Sequence, residues 1–466
     1  MASILLKDIK IEGKIMFSGI TTLKIQERVN DHAKAYIAGI LHEKMNEKDV
    51  YGLNLNSNIR IKATIGLEDE IIFAGVPVDL EMKSISGVKH LKMALKSHSF
   101  KLDIKKNSRS FQDINNPYRS IFTQIVEFEY GGIILDTASN GRTQGQFILQ
   151  YKETDWQLLK RLASQLNAII FPHMEANKPQ IGIGTPRGRS HTENSQQFEM
   201  DRMIGTHMVN ASNFSGWAEL DFVSELIESN RIYKLCDVVI HNDVKFLVFE
   251  KISELRHGVI INLYRLQPLD SFKQNILFNE SLTGLSINGR VLTVEGDKVR
   301  LHLSIDQYQN IEYAYWFDFD TPYVAEKHRG EFVMPEKGTQ VQLYCPDKDE
   351  RNAYISQVLR QDGERNSKTG NPSTKYFETI NGKELKLSPD SLSLTARHGN
   401  VYMQMTESGG ISFVSRGDLL IKGSTIEMHG QEICANAGDK INIETGGSSI
   451  TVDTEINIDG IAGVDF

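Results

Sequence analysis

The stretch Phe147–Leu162, with the sequence FILQYKETDWQLLKRL, carries the most specific structural signal in this chain of 466 residues. Thr154 and Gln157 have the spacing of a capping box, in which two side chains satisfy free N–H groups at the start of a helix. Four apolar residues follow at the helical period: Leu159, Leu162, Ala163 and Leu166. We therefore predict a helix over Thr154–Asn167 that packs onto a sheet.

The region before this helix predicts an antiparallel β-domain. Short alternations of apolar and polar residues run over Ile59–Ile65, Ile71–Val78 and Val88–Leu95, and glycines separate them. Runs of period two that are cut by turn residues are typical of antiparallel strands. A further helix is predicted within Phe111–Tyr130, starting near Pro117, because proline is favoured in the first turn of a helix.

The residues after the helix predict an α+β region that Pro268 closes. Strands are predicted near Val238–Phe249 and Val259–Leu266, where apolar and β-branched residues are concentrated. A turn is predicted ahead of them from its glycines and proline: Gly182, Gly184, Pro186 and Gly188.

A compact β-module is predicted between Leu282 and Leu359. Five short strands in so few residues indicate a small barrel. These strands are Leu285–Val294, Lys298–His302, Ala314–Phe319, Gln340–Tyr344 and Tyr354–Val358. The polar, turn-forming stretch Gln361–Thr374 that follows is interpreted as a linker.

From Tyr376 onward, apolar–polar–apolar triplets recur at intervals that are mostly six to ten residues, and Gly, Asn, Asp or Ser separates most of them. This repeat pattern predicts a β-solenoid or a repeating β-prism. The triplets are Leu392–Leu394, Tyr402–Met405, Ile411–Phe413, Leu419–Ile421, Ile426–Met428, Ile441–Ile443, Ile450–Val452 and Ile456–Ile458.

Such short strands cannot enclose their own apolar side chains, so one copy would leave a continuous apolar stripe in water. Winding several identical chains about one axis covers the stripe, and we therefore predict a homotrimer. The predicted axial core consists of Leu392, Leu394, Ile411, Phe413, Leu419, Ile421, Ile426, Ile441, Ile443, Ile450, Val452, Ile456 and Ile458. Residues 376–466 contain thirteen acidic and six basic residues, a net charge of −7, which favours a solvated acidic exterior.

Composition excludes several other classes of protein. No apolar run approaches the ~20 residues of a membrane span, and the start of the chain does not resemble a secretory signal, so we expect synthesis in the cytoplasm. A net charge of −8 does not indicate the basic surface that a nucleic-acid-binding protein needs. Cys236, Cys345 and Cys434 are far apart and predict buried thiols instead of a disulfide framework or a zinc site. No cofactor or metal is predicted.

Two motifs resemble the VgrG family of type VI secretion and the related hub–spike proteins of contractile phage tails, bacteriocins and extracellular injection particles. The run Gln150–Leu162 is similar to the family's entry into its hub helix, where Thr154, Asp155, Trp156, Leu159 and Leu162 form the hub motif. Ile71–Val76 is similar to a hub strand. The barrel segments also occur in the family order, although Trp316–Phe319 replaces its usual Trp-x-Arg-Val.

The resemblance implies a mainly β protein with minor α content: a hub of two β-barrel-like domains with helices, an OB-fold barrel and a trimeric β-helix or β-prism needle. The expected domains are 1–110 and 111–280 for the hub, 281–360 for the barrel, 361–375 for the linker and 376–466 for the spike. It also implies a hexameric inner-tube protein and baseplate proteins as partners, with a PAAR-type tip protein or effectors also possible in this family. The assembled particle would lead the tube through a target membrane or be released outside the cell.

Two rival functions stay open at this point. A trimeric β-fibre adhesin would explain the C-terminal triplets but not the hub motif. A spike-associated cell-wall hydrolase would need an inserted or appended domain, for which the linker leaves no room. The pairs Glu127/Glu129 and Asp318/Asp320 are interpreted as solvated strand acids and not as catalytic pairs. Neither Gly182–Gly184 nor His429 has the companions that a phosphate loop or a tip metal needs.

Overall fold

A computed structural model describes residues 4–460 apart from 186–187, 194–197, 214–215, 269–270, 272–273, 322–323, 326–328, 331–332, 360–367, 369, 397–398 and 455; for 324–325, 329–330 and 457–460 it describes the backbone alone. The chain forms two compact units, residues 1–361 and residues 362–466. Each unit is described by itself. Most of the predicted linker Gln361–Thr374 lies outside the described residues.

The first unit is built on a large, mainly antiparallel sheet. Its strands come from two stretches of the chain. The first stretch supplies β1 (Ile9–Glu12), β2 (Phe17–Arg28), β3 (Lys34–Leu41), β4 (Ile59–Ile65), β5 (Glu68–Ile85) and β6 (Val88–Ser97), with helix α1 (Glu47–Tyr51) between β3 and β4. The second supplies β12 (Ser190–Glu193), β13 (Phe198–Arg202), β14 (Val223–Ser229), β15 (Val238–His241), β16 (Val244–Arg256) and β17 (Val259–Pro268). The order across the main path of the sheet is β1-β4-β5-β6-β3-β2-β16-β17-β14-β13, and β15 and β12 extend from β16.

The sequence pattern explains the face that each strand buries. In β4, Ile59, Ile61 and Ala63 are fully buried while the residues between them are partly exposed, as the two-residue period of a strand requires. The two halves of the sheet join where β2 pairs antiparallel with β16, over Lys24–Arg28 and Glu250–Glu254. The predicted strand Val238–Phe249 is two strands, because Asn242 and Asp243 adopt positive φ and turn the chain between them.

The helices and two smaller sheets of this unit lie outside the large sheet. β7 (Lys106–Phe111) pairs with β9 (Ile148–Thr154), and β11 (Gln180–Ile183) lies between β8 (Ile133–Asp136) and β10 (Ile170–Pro172). Helix α2 (Tyr118–Thr123) follows Pro117 as predicted and continues into a π-helical turn, Gln124–Glu129; α3 (Asp155–Gln165) follows β9, and α4 (Ile204–Asn213) lies between β13 and β14. The turn prediction was wrong at Gly182, which pairs within β11 against Phe171 and Leu135.

The five strands predicted for the third region are confirmed. β18 (Leu285–Glu295), β19 (Lys298–Leu303), β20 (Trp316–Asp318), β23 (Gln340–Cys345) and β24 (Tyr354–Val358) form one sheet in the order β20-β19-β18-β23-β24. A parallel bridge between Phe319 and Ile355 links its two edges. The sheet therefore curls around one apolar interior, and we call it the barrel module. A short hairpin, β21 (Val324–Ala325) and β22 (Arg329–Gly330), lies between β20 and β23.

The second unit contains two antiparallel sheets. The first runs in chain order through β25 (Lys375–Glu378), β26 (Glu384–Ser388), β27 (Ser391–Ala396), β28 (Val401–Thr406) and β29 (Gly410–Val414), and the second through β30 (Ile441–Glu444), β31 (Ser448–Val452) and β32 (Ile456–Gly460). Leu419–Ile421 and Ile426–Met428 have no strand pairing within the described chain, and their pairing with another copy stays a prediction. A strand needs a neighbouring edge, and this copy offers none to these triplets.

Candidate functional site

The predicted helix starts at Thr154, whose side-chain oxygen accepts a hydrogen bond from the Gln157 backbone N–H at 3.2 Å. Gln157 reciprocates by accepting from the Thr154 N–H at 3.0 Å, so the capping box is confirmed. The hub-motif residues Asp155, Trp156, Leu159 and Leu162 are all buried. Leu158 and Arg161 are buried as well, so the helix is enclosed on nearly every side and not on one face alone.

Arg161 is the centre of a buried ionic cluster that joins the helix to the barrel module. Its guanidinium donates to both carboxylate oxygens of Glu153, at 3.1 and 3.0 Å, to Glu350 at 2.5 Å, and to the Leu149 carbonyl at 3.0 Å. Burial alone would lower the pKa of Arg161, but the carboxylates of Glu350 and Glu153 raise it above its ordinary value. Burial raises the pKa of Glu153, and Arg161 offsets this only in part.

A second cluster surrounds Asp155, which has no exposed side-chain surface. Its carboxylate accepts hydrogen bonds from Arg109 at 2.7 Å, Gln150 at 2.9 Å, Asn107 at 2.9 Å and the Tyr130 hydroxyl at 2.8 Å. Because a buried carboxylate is tolerated only when it is paired and hydrogen-bonded, these donors fix the position of the helix start.

Sequence reasoning missed Arg161, Glu153 and Glu350 as a connected group. One signal was present: apolar residues surround Arg161 on both sides along α3, so a charged residue there had to be buried and paired. Glu350 gave no signal, since 189 residues separate it from Arg161.

Strand β9 contributes to two apolar interiors at once. Ile148 packs in the core beneath α2 and α3, with Trp156 and Leu159. The residues on either side of it, Phe147 and Leu149, pack instead in the core of the barrel module. The two-residue period of the strand therefore places one core on each of its faces.

The first sheet of the second unit exposes a continuous apolar face. Residues directly opposite on neighbouring antiparallel strands share a face. Here one such face carries Phe377, Leu385 and Leu387, Leu392 and Leu394, Met403 and Met405, and Ile411 and Phe413. Leu394, Ile411 and Phe413 are 51%, 61% and 59% exposed. An open groove of about 420 Å³ lies between this face and the segment that leads to Leu419.

The second sheet of this unit repeats the arrangement. Ile443 pairs with Ile450, which pairs in turn with Ile458, and Ile441 and Ile456 both lie opposite Val452. Ile443 and Ile456 are 58% and 70% exposed. Leu419, Ile421 and Ile426 are also exposed, whereas the side chain of Ile458 lies outside the described residues. The structure thus leaves most of the predicted axial residues uncovered in a single copy.

Two of the acidic residues considered from sequence form ion pairs. Glu129 pairs with Arg109, and Asp318 pairs with Lys298 at 2.6 Å. Glu127 and Glu129 lie on the π-helical turn, so their interpretation as strand acids was wrong. Within the described ranges, no group of three or more His, Cys, Asp or Glu side chains could hold a metal ion. No helix among those residues is long and apolar enough to cross a membrane.

The thiols differ from the prediction at one position. Cys236 and Cys345 are buried, and burial raises the pKa of each to about 12. Cys434 is exposed, contrary to the expectation that all three are buried, because it lies in the segment 415–440 that has no strand pairing in one copy.

Comparison with solved structures identifies the fold. The E. coli protein c3393, a type VI secretion component with structural similarity to the T4 phage tail proteins gp27 and gp5, is 12% identical with a TM-score of 0.55; the match covers 75% of this chain and 99% of that one. A chain of the half-lidded Francisella PdpA–VgrG complex is 11% identical with a TM-score of 0.55 and covers 87% of both chains. The lidless PdpA–VgrG complex gives 11% identity and a TM-score of 0.54. No protein-family model and no curated protein matches the sequence.

At these identities the likeness establishes the fold, which is that of the tail hub proteins of phages and type VI secretion systems. Within that class, two of the matching structures are chains of PdpA–VgrG complexes, and the mainly β fold of this chain is similar to theirs.

Proposed function

We propose that this protein is the structural hub and membrane-piercing spike of a contractile, phage-tail-like injection apparatus, and that it acts as a homotrimer. The observation that carries the proposal is the pair of apolar sheet faces within residues 376–466, one with Leu394, Ile411 and Phe413 and the other with Ile443, which one copy leaves in water. Three copies wound about one axis would bury these side chains at about 1.5–3 kcal/mol each, as an upper bound.

Each module has a role in this proposal. The two halves of the large sheet, within residues 1–110 and 111–280, form the hub that caps a hexameric inner tube. The barrel module, within 281–360, is an OB-fold: its strand order and its parallel bridge between Phe319 and Ile355 support this assignment. A linker over 361–375 leads to the needle formed by 376–466.

The proposed action is mechanical and not enzymatic. Contraction of the apparatus supplies the work, and the needle has only to resist unfolding while it leads the tube through the target envelope. Baseplate proteins would hold the hub, and a PAAR-type protein or an effector could bind the tip. The expected place of action is the assembled particle and, on firing, the target envelope.

The proposal is tested by placing charge on the uncovered face. We expect the wild-type protein to have three times its chain mass of 52.6 kDa by light scattering. In the double variant Ile411→Asp/Phe413→Asp, two carboxylates per chain would enter the axial core without partners, at a cost of several kcal/mol each. We therefore expect this variant to lose the trimer.

Ser412→Asp is the matched control, since Ser412 lies between the two apolar residues and its side chain points to the other face of β29. It should remain trimeric. Because Ile411 and Phe413 are exposed in one copy, the double variant should keep its circular dichroism spectrum as a monomer. A wild-type protein of single-chain mass with an ordered C-terminal unit, or a double variant that stays trimeric, would refute the proposal.

A further inference from the structure

A cleft of about 340 Å³ lies beside the start of α3. Three lysines line it, Lys106 from β7, Lys152 from β9 and Lys160 from α3. The uncharged donors Gln157 and Asn279 line it as well, together with the carboxylates of Glu153 and Glu280 and the guanidinium of Arg161. We call this region the lysine cleft.

The charges of the cleft are unequally neutralised. Glu153 is occupied by Arg161, and Arg161 is shared between Glu153 and Glu350. Glu280 pairs with Lys348 at 2.9 Å. In the part of the chain that the structure describes, Lys106, Lys152 and Lys160 form no ion pair within 4.0 Å. The Lys152 ammonium lies 5.3 Å from the centroid of the Tyr151 ring, and the charge of Lys160 helps to lower the pKa of Asp103. Three positive charges therefore remain available in one concave site of a protein whose net charge is −8.

The backbone of β9 is distorted where it presents Lys152. A bulge interrupts the pairing with β7 between Asn107 and Arg109, and Lys152 has φ of +48°. Its backbone N–H is held by the Ser108 hydroxyl at 3.1 Å. Lysine rarely adopts this left-handed conformation, and bulges re-aim side chains next to functional sites. The distortion is what directs Lys152 away from the regular alternation of the strand.

The opposite wall of the cleft is also fixed. The Leu277 N–H donates to the Ser164 hydroxyl at 2.9 Å, which ties the segment 277–281 to α3. The Asn279 side-chain amide donates to the Tyr151 carbonyl at 2.9 Å, which ties the same segment to β9. Both walls are thus held by hydrogen bonds before any ligand arrives, which lowers the entropic cost of binding.

We propose that the lysine cleft binds an acidic peptide segment of another protein of the apparatus. This inference rests on the proposed function, because it assigns the partner to the assembly. Three amines that come from separate elements match carboxylates at successive positions of an extended segment better than one compact anion. The cleft has room for two or three side chains, and Gln157 and Asn279 can donate to the remaining oxygens. The arginine fork that would favour bidentate phosphate binding is already occupied.

The test uses the full-length protein and defined probes in titration calorimetry. Capped hexaglutamate is the probe, and hexaglutamine and pyrophosphate are the comparison ligands. We expect one hexaglutamate site per chain, no binding of hexaglutamine, and weakening as salt rises from about 50 to about 300 mM. The variant Lys106→Ala/Lys152→Ala/Lys160→Ala should bind hexaglutamate at least about tenfold more weakly.

A variant with the same change of charge elsewhere is the control. Lys44, Lys245 and Lys337 are exposed and lie outside the cleft, so Lys44→Ala/Lys245→Ala/Lys337→Ala should bind as the wild type does. Equal loss in both variants, absence of hexaglutamate binding, or tighter binding of pyrophosphate at the same site would each overturn the inference. Light scattering on the same samples separates the outcomes, since a trimer without peptide binding refutes the cleft alone and a monomer refutes the proposed function.

Discussion

Replacing Arg161 by methionine tests whether the buried ionic cluster holds the barrel module on α3. Arg161 is 1% exposed, and its side chain makes four hydrogen bonds, to Glu153, Glu350 and the Leu149 carbonyl. Methionine fills a similar length without charge. The substitution leaves Glu153 and Glu350, 6% and 2% exposed, as buried carboxylates without their cation.

The expected loss in the free energy of unfolding follows from these two buried carboxylates that lack a cation. Removing one partner of a buried ion pair costs about 3–5 kcal/mol, because the remaining charge stays desolvated. The triple variant Glu153→Gln/Arg161→Met/Glu350→Gln removes all three charges, so it should recover most of the loss. Urea unfolding followed by tryptophan fluorescence, to which Trp156 contributes from the same core as α3, measures both changes.

The pH dependence gives an independent check. Burial already raises the pKa of Glu153 in the wild type, and losing Arg161 should raise it further. A group whose folded pKa is raised stabilises the fold below its unfolded value and loses that contribution as pH rises. The penalty of Arg161→Met should therefore shrink from pH 7 to pH 5. A loss below about 1 kcal/mol, a penalty independent of pH, or a triple variant as unstable as the single one would refute this reasoning.

Two further predictions concern Gly75 in β5 and His98, which directly follows β6. His98 is 4% exposed, and burial, with smaller effects of Lys101 and Arg60, lowers the pKa of its imidazole to about 4. The stabilisation that depends on a neutral His98 is therefore complete above about pH 6.5 and is lost as the pH falls toward 4. We expect a loss of about 2 kcal/mol over that window, and His98→Gln should flatten the profile of urea midpoint against pH; an unchanged slope would contradict the assignment. A Cβ at Gly75 would overlap the Lys96 backbone oxygen, so Gly75→Ala should cost at least about 2 kcal/mol in urea unfolding. Gly19→Ala, which meets open space, should change stability by less than about 0.5 kcal/mol, and equal effects at the two glycines would show the packing argument to be wrong.

Local patterns in the sequence predicted the elements that depend on neighbouring residues. The capping box of Thr154 and Gln157 located the start of α3, and Pro117 located α2, because both signals act within one helical turn. The five strands of the barrel module followed in the same way from alternation and turn residues. The fold similarity to VgrG-related structures confirms the resemblance that the run Gln150–Leu162 indicated.

Features that depend on distant partners could not be predicted. Pairing of β2 with β16 brings Gln26 against Glu250, 224 residues away, and no local pattern specifies that choice. Gly182 lies in a stretch that has the composition of a turn. Its lack of a side chain instead lets the Phe171 ring pack closely against it within a sheet. The triplets at Leu419 and Ile426 have strand-like composition without a partner edge. Whether they pair depends on what another copy supplies, and this stays part of the proposal.

Strand β9 has a mechanical consequence. Phe147 and Leu149 are buried in the core of the barrel module, and Ile148 is buried in the core beneath α2 and α3. The strand therefore restricts rotation of the barrel module against these helices. Twisting one module against the other would have to extract a fully buried side chain from dense packing. A load applied at α3 is therefore transmitted to the barrel module through β9 with little bending.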